Sequence, residues 1–229
     1  MSMRLSCDPK GFPLLSPPGA AFDIHLLPVS KVQFERFLAE PCGFGDAWYE
    51  TLLTLNQRAS YRRFTEADRE RLFLTGVLPK EALAFAIWLG PGFDLPTTDE
   101  WRMAYRTFDA LRLNWAEALR FLSGRGAVPA HDMLEELLRQ QPPAATASDV
   151  TLMRGGVLEW ARQGSHWVGL GAPRHTFYPN LYEPCNDEFR PLNTNDRLPF
   201  LGFRLIRRRG NVPRGGWLVT RPRPEEQAR

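Results

Sequence analysis

Three cysteines, four histidines and an acid pair that follows two adjacent threonines are the first residues of this 229-residue chain whose side chains could do chemistry. The acids stand in "DLPTTDEW" (94–101), where Asp99 and Glu100 follow two threonine hydroxyls. Two neighbouring carboxylates could work as an acid–base pair or hold a cation. The spacing points to a helix start instead. Thr97 precedes Glu100 by three residues, so its hydroxyl can cap a helix while Glu100 reaches back to the cap's own amide. Pro96 can then staple onto Trp101, and Asp99 and Glu100 sit at the positive end of the helix dipole, worth about 0.3–1 kcal/mol each. Cys7, Cys42 and Cys185 are scattered and show no CxxC spacing, which argues against a disulfide framework or a zinc site; they are expected as small buried residues. His25, His131, His166 and His175 lack a helical i, i+4 spacing, although His166 and His175 fall in one loop region. No catalytic residue, metal or other cofactor is expected from this set.

The residues that look built for contact come late. "GSHWVGLGAPRHTFYPNLYEPCNDEFRPLNTNDRLPFLGFRL" (164–205) is crowded with aromatic and amide side chains on a background of Gly and Pro. Amphipathic aromatics give large contact area at low entropy cost, and amides adapt their hydrogen bonds, which is the mixture binding loops favour. The candidate ligand-binding residues are His166, Arg174, His175, Tyr178, Asn180, Tyr182, Asn186, Asp187, Phe189, Asn193, Asn195 and Asp196. Trp167 and Phe203 are expected to cover the core. Net charge is +3, with cations nearly all Arg, too little to imply nucleic acid. The cluster Arg204, Arg207, Arg208, Arg209, Arg214, Arg221 and Arg223 reads as a solvated strand end and tail rather than a phosphate-binding patch.

These side chains need a scaffold, and the helical periodicity supplies one. "FDIHLLPVSKVQFERFLAE" predicts a short strand, Phe22 to Leu26, and then a helix opened by a Ser30/Gln33 capping box, with Val29 stapled to Phe34 and Phe34, Phe37 and Leu38 buried. "GVLPKEALAFAIWLG" predicts a second helix burying Ala82, Phe85, Ala86 and Leu89, stopped by a left-handed Gly90. Trp101, Ala104, Tyr105 and Phe108 line one face of the third. "LNWAEALRFLSGRG" and "HDMLEELLRQQPP" predict two more, with Asn114 as cap and Gly124 as stop, and "PPAATASD" (142–149) predicts a loop. Past Val150 the chain is irregular and strand-poor apart from a strand at "GFRLIR" (202–207). No apolar run reaches the roughly 18 residues of a membrane span, and the first residues lack a secretory layout, so a cytoplasmic protein is expected.

Four landmarks in order, "PVSKVQFERF", "VLPKEALAFAIWLG" followed by "LPTTDEW", "GGVLEW" and "GFRL", resemble the formylglycine-generating-enzyme (sulfatase-modifying factor) family, whose pieces read like PVTxxQYxxF, VSWxDAxAFCxWLG with RLPTEAEW, GNVWEW and GFRL. The resemblance covers about residues 20–207 and implies a C-type lectin-like, α+β fold. It divides the chain into one domain at 1–210, with a helical insertion at 110–150, and a flexible tail at 211–229. In the family's enzymes two late cysteines, a few residues apart, hold copper for an oxidation. Copper(I) is soft and takes thiolates, but here the late segment has Cys185 alone. Gly156 stands where the family's GNVWEW motif has the Asn that supports calcium, and the His-rich ligand set of the related iron-dependent sulfoxide synthases is missing. The segment also resembles the variable proteins of diversity-generating retroelements, which share this fold and randomise positions before a "GFR"-like strand; between Arg174 and Phe200 there is no Lys, Gln, Met or Trp, types such randomisation does not reach, and Glu183 and Glu188 are the only residues of an excluded type.

The expectation is therefore a non-catalytic recognition protein presenting the 165–200 surface to a protein ligand, with no membrane span and no nucleic acid. The alternatives are a copper- or iron-dependent oxidase using Cys185, His166 and His175, or a structural partner domain in a larger assembly.

Overall fold

A computed structural model describes residues 4–39, 73–110, 114–125, 128–140, 145–154, 157–171, 191–198 and 201–210. Strands β1 (Arg4–Cys7) and β2 (Pro13–Ser16) form an antiparallel hairpin, and β2 pairs with β3 (Phe22–His25). The late strand β8 (Ile206–Arg208) inserts between β3 and β4 (Phe93–Asp94), giving a five-stranded sheet in the order β1-β2-β3-β8-β4. A second sheet, β6-β5-β7, joins the hairpin β5 (Leu158–Gln163) and β6 (His166–Leu170) to β7 (Leu201–Gly202), which runs parallel to β5. The helices are α1 (Lys31–Leu38), α2 (Pro79–Leu89), α3 (Thr98–Ala110), α4 (Trp115–Gly124), α5 (Val128–Gln140) and the short α6 (Ala147–Val150).

The predicted helix starts form as their sequences dictate. Ser30 N donates to Gln33 Oε1 at 2.7 Å and Gln33 N to Ser30 Oγ at 3.3 Å, opening α1. Thr97 N donates to Glu100 Oε2 at 2.8 Å and Glu100 N to Thr97 Oγ1 at 3.2 Å, opening α3. Asn114 Oδ1 accepts from Glu117 N at 3.3 Å, opening α4. The acids of "DLPTTDEW" thus begin a helix, and Glu100 goes on to accept two hydrogen bonds from Arg208 at 3.1 and 2.9 Å. The predicted stripes of α2 and α3 are buried as sets.

Several details differ from the sequence expectation, among them Leu38, expected in the buried stripe of α1 but only half-buried. The strand at Phe22 ends at His25, one residue early. Gly90 stops α2 with φ 124° and ψ −175°, a positive-φ extended conformation rather than the left-handed helical one. The loop placed at 142–149 yields at its end to α6, because Thr146 and Asp149 form a capping box of their own. And "GFRLIR" is not one strand: it breaks at Phe203–Leu205, where the chain leaves the three-stranded sheet and enters the five-stranded one. The hairpin β5–β6, which periodicity did not separate from the irregular late segment, supplies the centre of the second sheet.

Two apolar clusters fill the domain. One packs the five-stranded sheet (Leu15, Phe22, Ile24, Ile206) against α3 to α6 through Trp101, Phe108, Leu122, Leu134 and Leu137. The other packs α1 and α2 (Phe34, Phe37, Phe85, Leu89) on Leu158, Trp160, Leu201 and Phe203. Phe34 and Phe85 stack at 5.5 Å, with Phe203 edge-on to both. Gly202 belongs here for a steric reason: a Cβ built on it would lie 2.5 Å from the Leu74 carbonyl oxygen.

At the join between the clusters lies Arg204, fully buried. Its Nε donates to both oxygens of buried Glu159 at 3.3 and 3.1 Å, and Nη2 donates to Glu159 Oε1 at 2.9 Å. Nη1 donates to the carbonyls of His25 and Leu26 at 3.0 and 2.6 Å, and Nη2 also to that of Thr151 at 2.7 Å. All five guanidinium hydrogens therefore have acceptors. Glu159 Oε2 takes a further hydrogen bond from Trp101 Nε1 at 2.8 Å.

The expected solvated arginine cluster is thus corrected at Arg204; Arg207 and Arg208 are half-buried and Arg209 is exposed, each of the three paired with an acid. Besides Arg204, Arg207 and Arg209 converge on buried Asp23, and Arg208 bridges Asp94 and Glu100. Arg214, Arg221 and Arg223 lie outside the described residues. Burial pushes the Asp23 carboxyl up, but hydrogen bonds from Ser16, Arg207 and Arg209 outweigh it and hold it below the usual range. Glu100 is likewise raised by burial and then lowered further by Arg208 and the Thr97 amide.

Two outcomes follow. Arg204→Met should cost about 3–5 kcal/mol in chemical denaturation, because it strands a buried carboxylate, and Arg204→Met with Glu159→Leu should recover part of that loss. Unfolded carboxyls bind protons near their ordinary values of 3.8 for Asp23 and 4.5 for Glu100, whereas the folded ones bind only at lower pH. The unfolded chain therefore holds more protons in that window, and stability present above it is lost as pH falls from about 5 to about 2. Asp23→Asn should flatten the fall in denaturation midpoint over that range; an unchanged slope would remove Asp23 from the account.

Candidate functional site

The predicted contact surface divides in the structure. His166 opens β6, exposed, opposite Gln163 across the hairpin, so it belongs to a strand rather than to the loop assigned to it. Asn193, Asn195 and Asp196 are exposed on the 191–198 segment. Arg174, His175, Tyr178, Asn180, Tyr182, Asn186, Asp187 and Phe189 lie outside the described residues, as do Cys42, Cys185 and Gly156.

One hydrogen bond brings the two described parts side by side. Leu192 N donates to the Trp167 carbonyl at 2.8 Å, so His166 and Asn193 each neighbour a residue of the same backbone contact. Beyond it the chain turns: Asn193 Oδ1 accepts from Asn195 N at 3.1 Å, and Asp196 N donates to the Asn193 carbonyl at 3.3 Å. The side chains of Asn195 and Asp196 have no hydrogen-bond partner among the described residues and face solvent.

The segment is fastened at its far end by Arg197. Its Nη1 donates to the Gly76 carbonyl at 2.8 Å and to Glu81 Oε2 at 2.9 Å, and its Nη2 donates to Glu81 Oε1. Glu81 is fully buried at the start of α2, where Oε2 also accepts from Leu78 N at 2.9 Å. A planar fork on a fixed carboxylate holds direction as well as position. Leu192 and Leu198, at the two ends of the segment, pack against the second apolar cluster. Trp167 is half-buried against that cluster, as expected of it, with the Arg162 guanidinium 5.1 Å from its ring. Phe203 is fully buried, also as expected.

Sequence reasoning missed Arg197 and Glu81. They stand 116 residues apart, and no local period links them. It also missed the pairing of Arg204 with Glu159, for which a signal existed: each charge sits inside a short apolar run, "GFRLI" and "VLEW", and charges in such runs are buried only when paired.

The donor set does not fit the copper chemistry that the resemblance implies. That chemistry needs two thiolates close together, and the late segment has Cys185 alone. Among the described residues the one thiol is Cys7 on β1, which burial pushes up, away from thiolate, more than Arg125 draws it down.

A family model described as the sulfatase-modifying factor enzyme 1-like domain matches residues 19–209. No curated protein matches the chain. No helix among the described residues is long and apolar enough to cross a membrane.

Arg197→Ala should release the 191–198 segment while the β5–β6 hairpin stays formed. Hydrogen exchange at Leu192 and Asn195 should quicken at least about tenfold, with a stability loss of about 1.5–3 kcal/mol for the charged hydrogen bonds removed. Unaltered exchange there would show that the segment does not depend on Glu81.

Proposed function

Because the chain belongs to the sulfatase-modifying factor enzyme 1-like domain family and has its α+β, C-type lectin-like fold, we propose that it is a recognition protein that binds a protein ligand through the 165–200 surface without transforming it. The observation that carries this reading is the combination of a fastened backbone and unspent side chains. Arg197 and Leu192 tie the 191–198 segment to the scaffold, yet Asn195 and Asp196 contribute nothing to holding it. Polar groups prepositioned on a rigid support bind with little ordering cost. The lone late cysteine supports the non-catalytic side of the reading, since the family's copper chemistry requires a pair. The same composition between Arg174 and Phe200 supports a segment diversified as in retroelement variable proteins, with sequence varying on a fixed frame.

The test is selection of peptides on the immobilised full chain from a display library, followed by binding to an Asn193→Ala, Asn195→Ala, Asp196→Ala variant. Affinity of the selected peptides should fall at least about tenfold, or 1.4 kcal/mol, while the melting temperature stays put. Peptides that bind the variant equally well would move the surface elsewhere. Stoichiometric copper or iron that turns over a thiol or peptide substrate at Cys185 would replace the recognition reading by the oxidase one.

A further inference from the structure

Arg204, Arg207, Arg208 and Arg209 each bring a nitrogen to within 2.9 Å of a carboxylate oxygen. Arg162 on β5 does not. Its side-chain hydrogen bond, from Nη2 to Asp94 Oδ1, is 3.5 Å long. Asp94 has better donors: the Leu95 amide reaches Oδ1 at 2.8 Å and Arg208 Nη1 reaches Oδ2 at 2.6 Å. The other four guanidinium hydrogens of Arg162 have no acceptor among the described residues. The side chain is 28% exposed, so a partner can reach it.

Stacking fixes this guanidinium instead. Arg162 stands directly opposite Trp167 across the β5–β6 hairpin, with its Cζ 5.1 Å from the indole centroid. The negative face of the ring attracts the cation, worth about 0.5–1 kcal/mol at an exposed site. The backbone beneath is held too, since the Arg162 amide donates to the Pro96 carbonyl at 2.9 Å.

Strand pleating puts Arg162 and Trp167 on one face of the hairpin together with Gly169. Leu192 lies over that face, because a Cβ built on Gly169 would be 3.5 Å from Leu192 Cδ1. The stacked pair and the 191–198 segment therefore occupy the same side of the small sheet.

An arginine whose orientation is set before binding, and whose hydrogens lack acceptors, is prepared for a planar anion. Its fork takes both oxygens of a carboxylate while its flat surface stays on the ring. Arginine and tryptophan are also the side chains that most often dominate the energy of protein interfaces. A chain terminus is captured by converging backbone amides, and the Arg162 amide is already taken. An acidic side chain needs the fork alone.

We propose that the protein ligand anchors an aspartate or glutamate side chain on Arg162, held ready by Trp167. This inference rests on the recognition reading above and adds the chemistry of the ligand: an acidic peptide segment laid across the β5–β6 hairpin beside residues 191–198. The long contact to Asp94 is exchanged for two hydrogen bonds to the ligand, and Asp94 keeps Arg208 and the Leu95 amide.

The experiment pans a synthetic random peptide library with blocked termini on the immobilised full chain. Enriched peptides should carry an Asp or Glu whose change to Asn or Gln weakens binding at least about tenfold. Arg162→Gln should weaken the acidic peptides by a similar factor at an unchanged melting temperature, yet leave their amide counterparts unaffected, the mark of a direct pair. Arg162→Lys should recover only part of the loss, because an ammonium cannot fork. Should Arg162→Gln fail to fold, the Arg162 Nε–Hε resonance of the labelled parent decides: it should move with the acidic peptide and stay with the amide one. Enriched peptides without an acid, acidic peptides indifferent to Arg162→Gln, or a stationary resonance would each overturn the anchor. Peptides lost on the Asn193→Ala, Asn195→Ala, Asp196→Ala variant but not on Arg162→Gln keep the recognition surface and remove the anchor. A library from which nothing binds removes both.

Discussion

A single guanidinium decides how this domain closes. Arg204 is buried in the short link between β7 and β8, and its five hydrogens reach three distant parts of the chain: the end of β3, the turn after α6, and Glu159 on β5. Glu159 passes the connection to α3 through Trp101. Two buried charges would cost several kcal/mol each if unpaired, so the elements bearing their partners must arrive together or not at all. The backbone around Arg204 reinforces the same junction, with His25 N donating to the Leu205 carbonyl and Val29 N to that of Phe203, both at 2.9 Å. Lysine would not serve, because a point charge cannot satisfy five directed acceptors.

The motifs by which the family is recognised are the motifs that build this junction. "DLPTTDEW" supplies the α3 capping box, the Glu100 partner of Arg208 and the Trp101 indole. The "LEW" of "GGVLEW" supplies Glu159 and Trp160, whose Nε1 donates to the Val77 carbonyl at 2.6 Å. "GFRL" supplies the close approach at Gly202, the Phe203 ring and Arg204. None of these side chains is exposed chemistry. A resemblance resting on them identifies architecture, which is why membership of the family and departure from its copper donors coexist in one chain.

Charge is handled the same way throughout. Asp23 gathers Arg207 and Arg209, Asp94 and Glu100 share Arg208, and Glu81 holds Arg197. The last of these pairs fixes the direction of the segment carrying Asn193, Asn195 and Asp196. Held there, Asn195 and Asp196 keep their side chains exposed and outside the segment's own hydrogen bonds, while Asn193 Oδ1 accepts from Asn195 N.

Sequence by itself determined the local events. The caps at Ser30, Thr97 and Asn114, the buried faces of α2 and α3, and the core positions of Trp167 and Phe203 follow from hydrogen bonds and burial spanning a few residues, so spacing alone encodes them. It also carried the family motifs, and with them the fold. Tertiary structure alone decided which arginines are solvated, because Glu159 and Arg204 stand 45 residues apart and Asp23 and Arg207 stand 184 apart. It decided too that β8 joins β3 and that the "GFRLIR" strand breaks to change sheets. Those outcomes depend on which distant groups remain to be satisfied once the chain has collapsed, and no window of neighbouring residues contains that information.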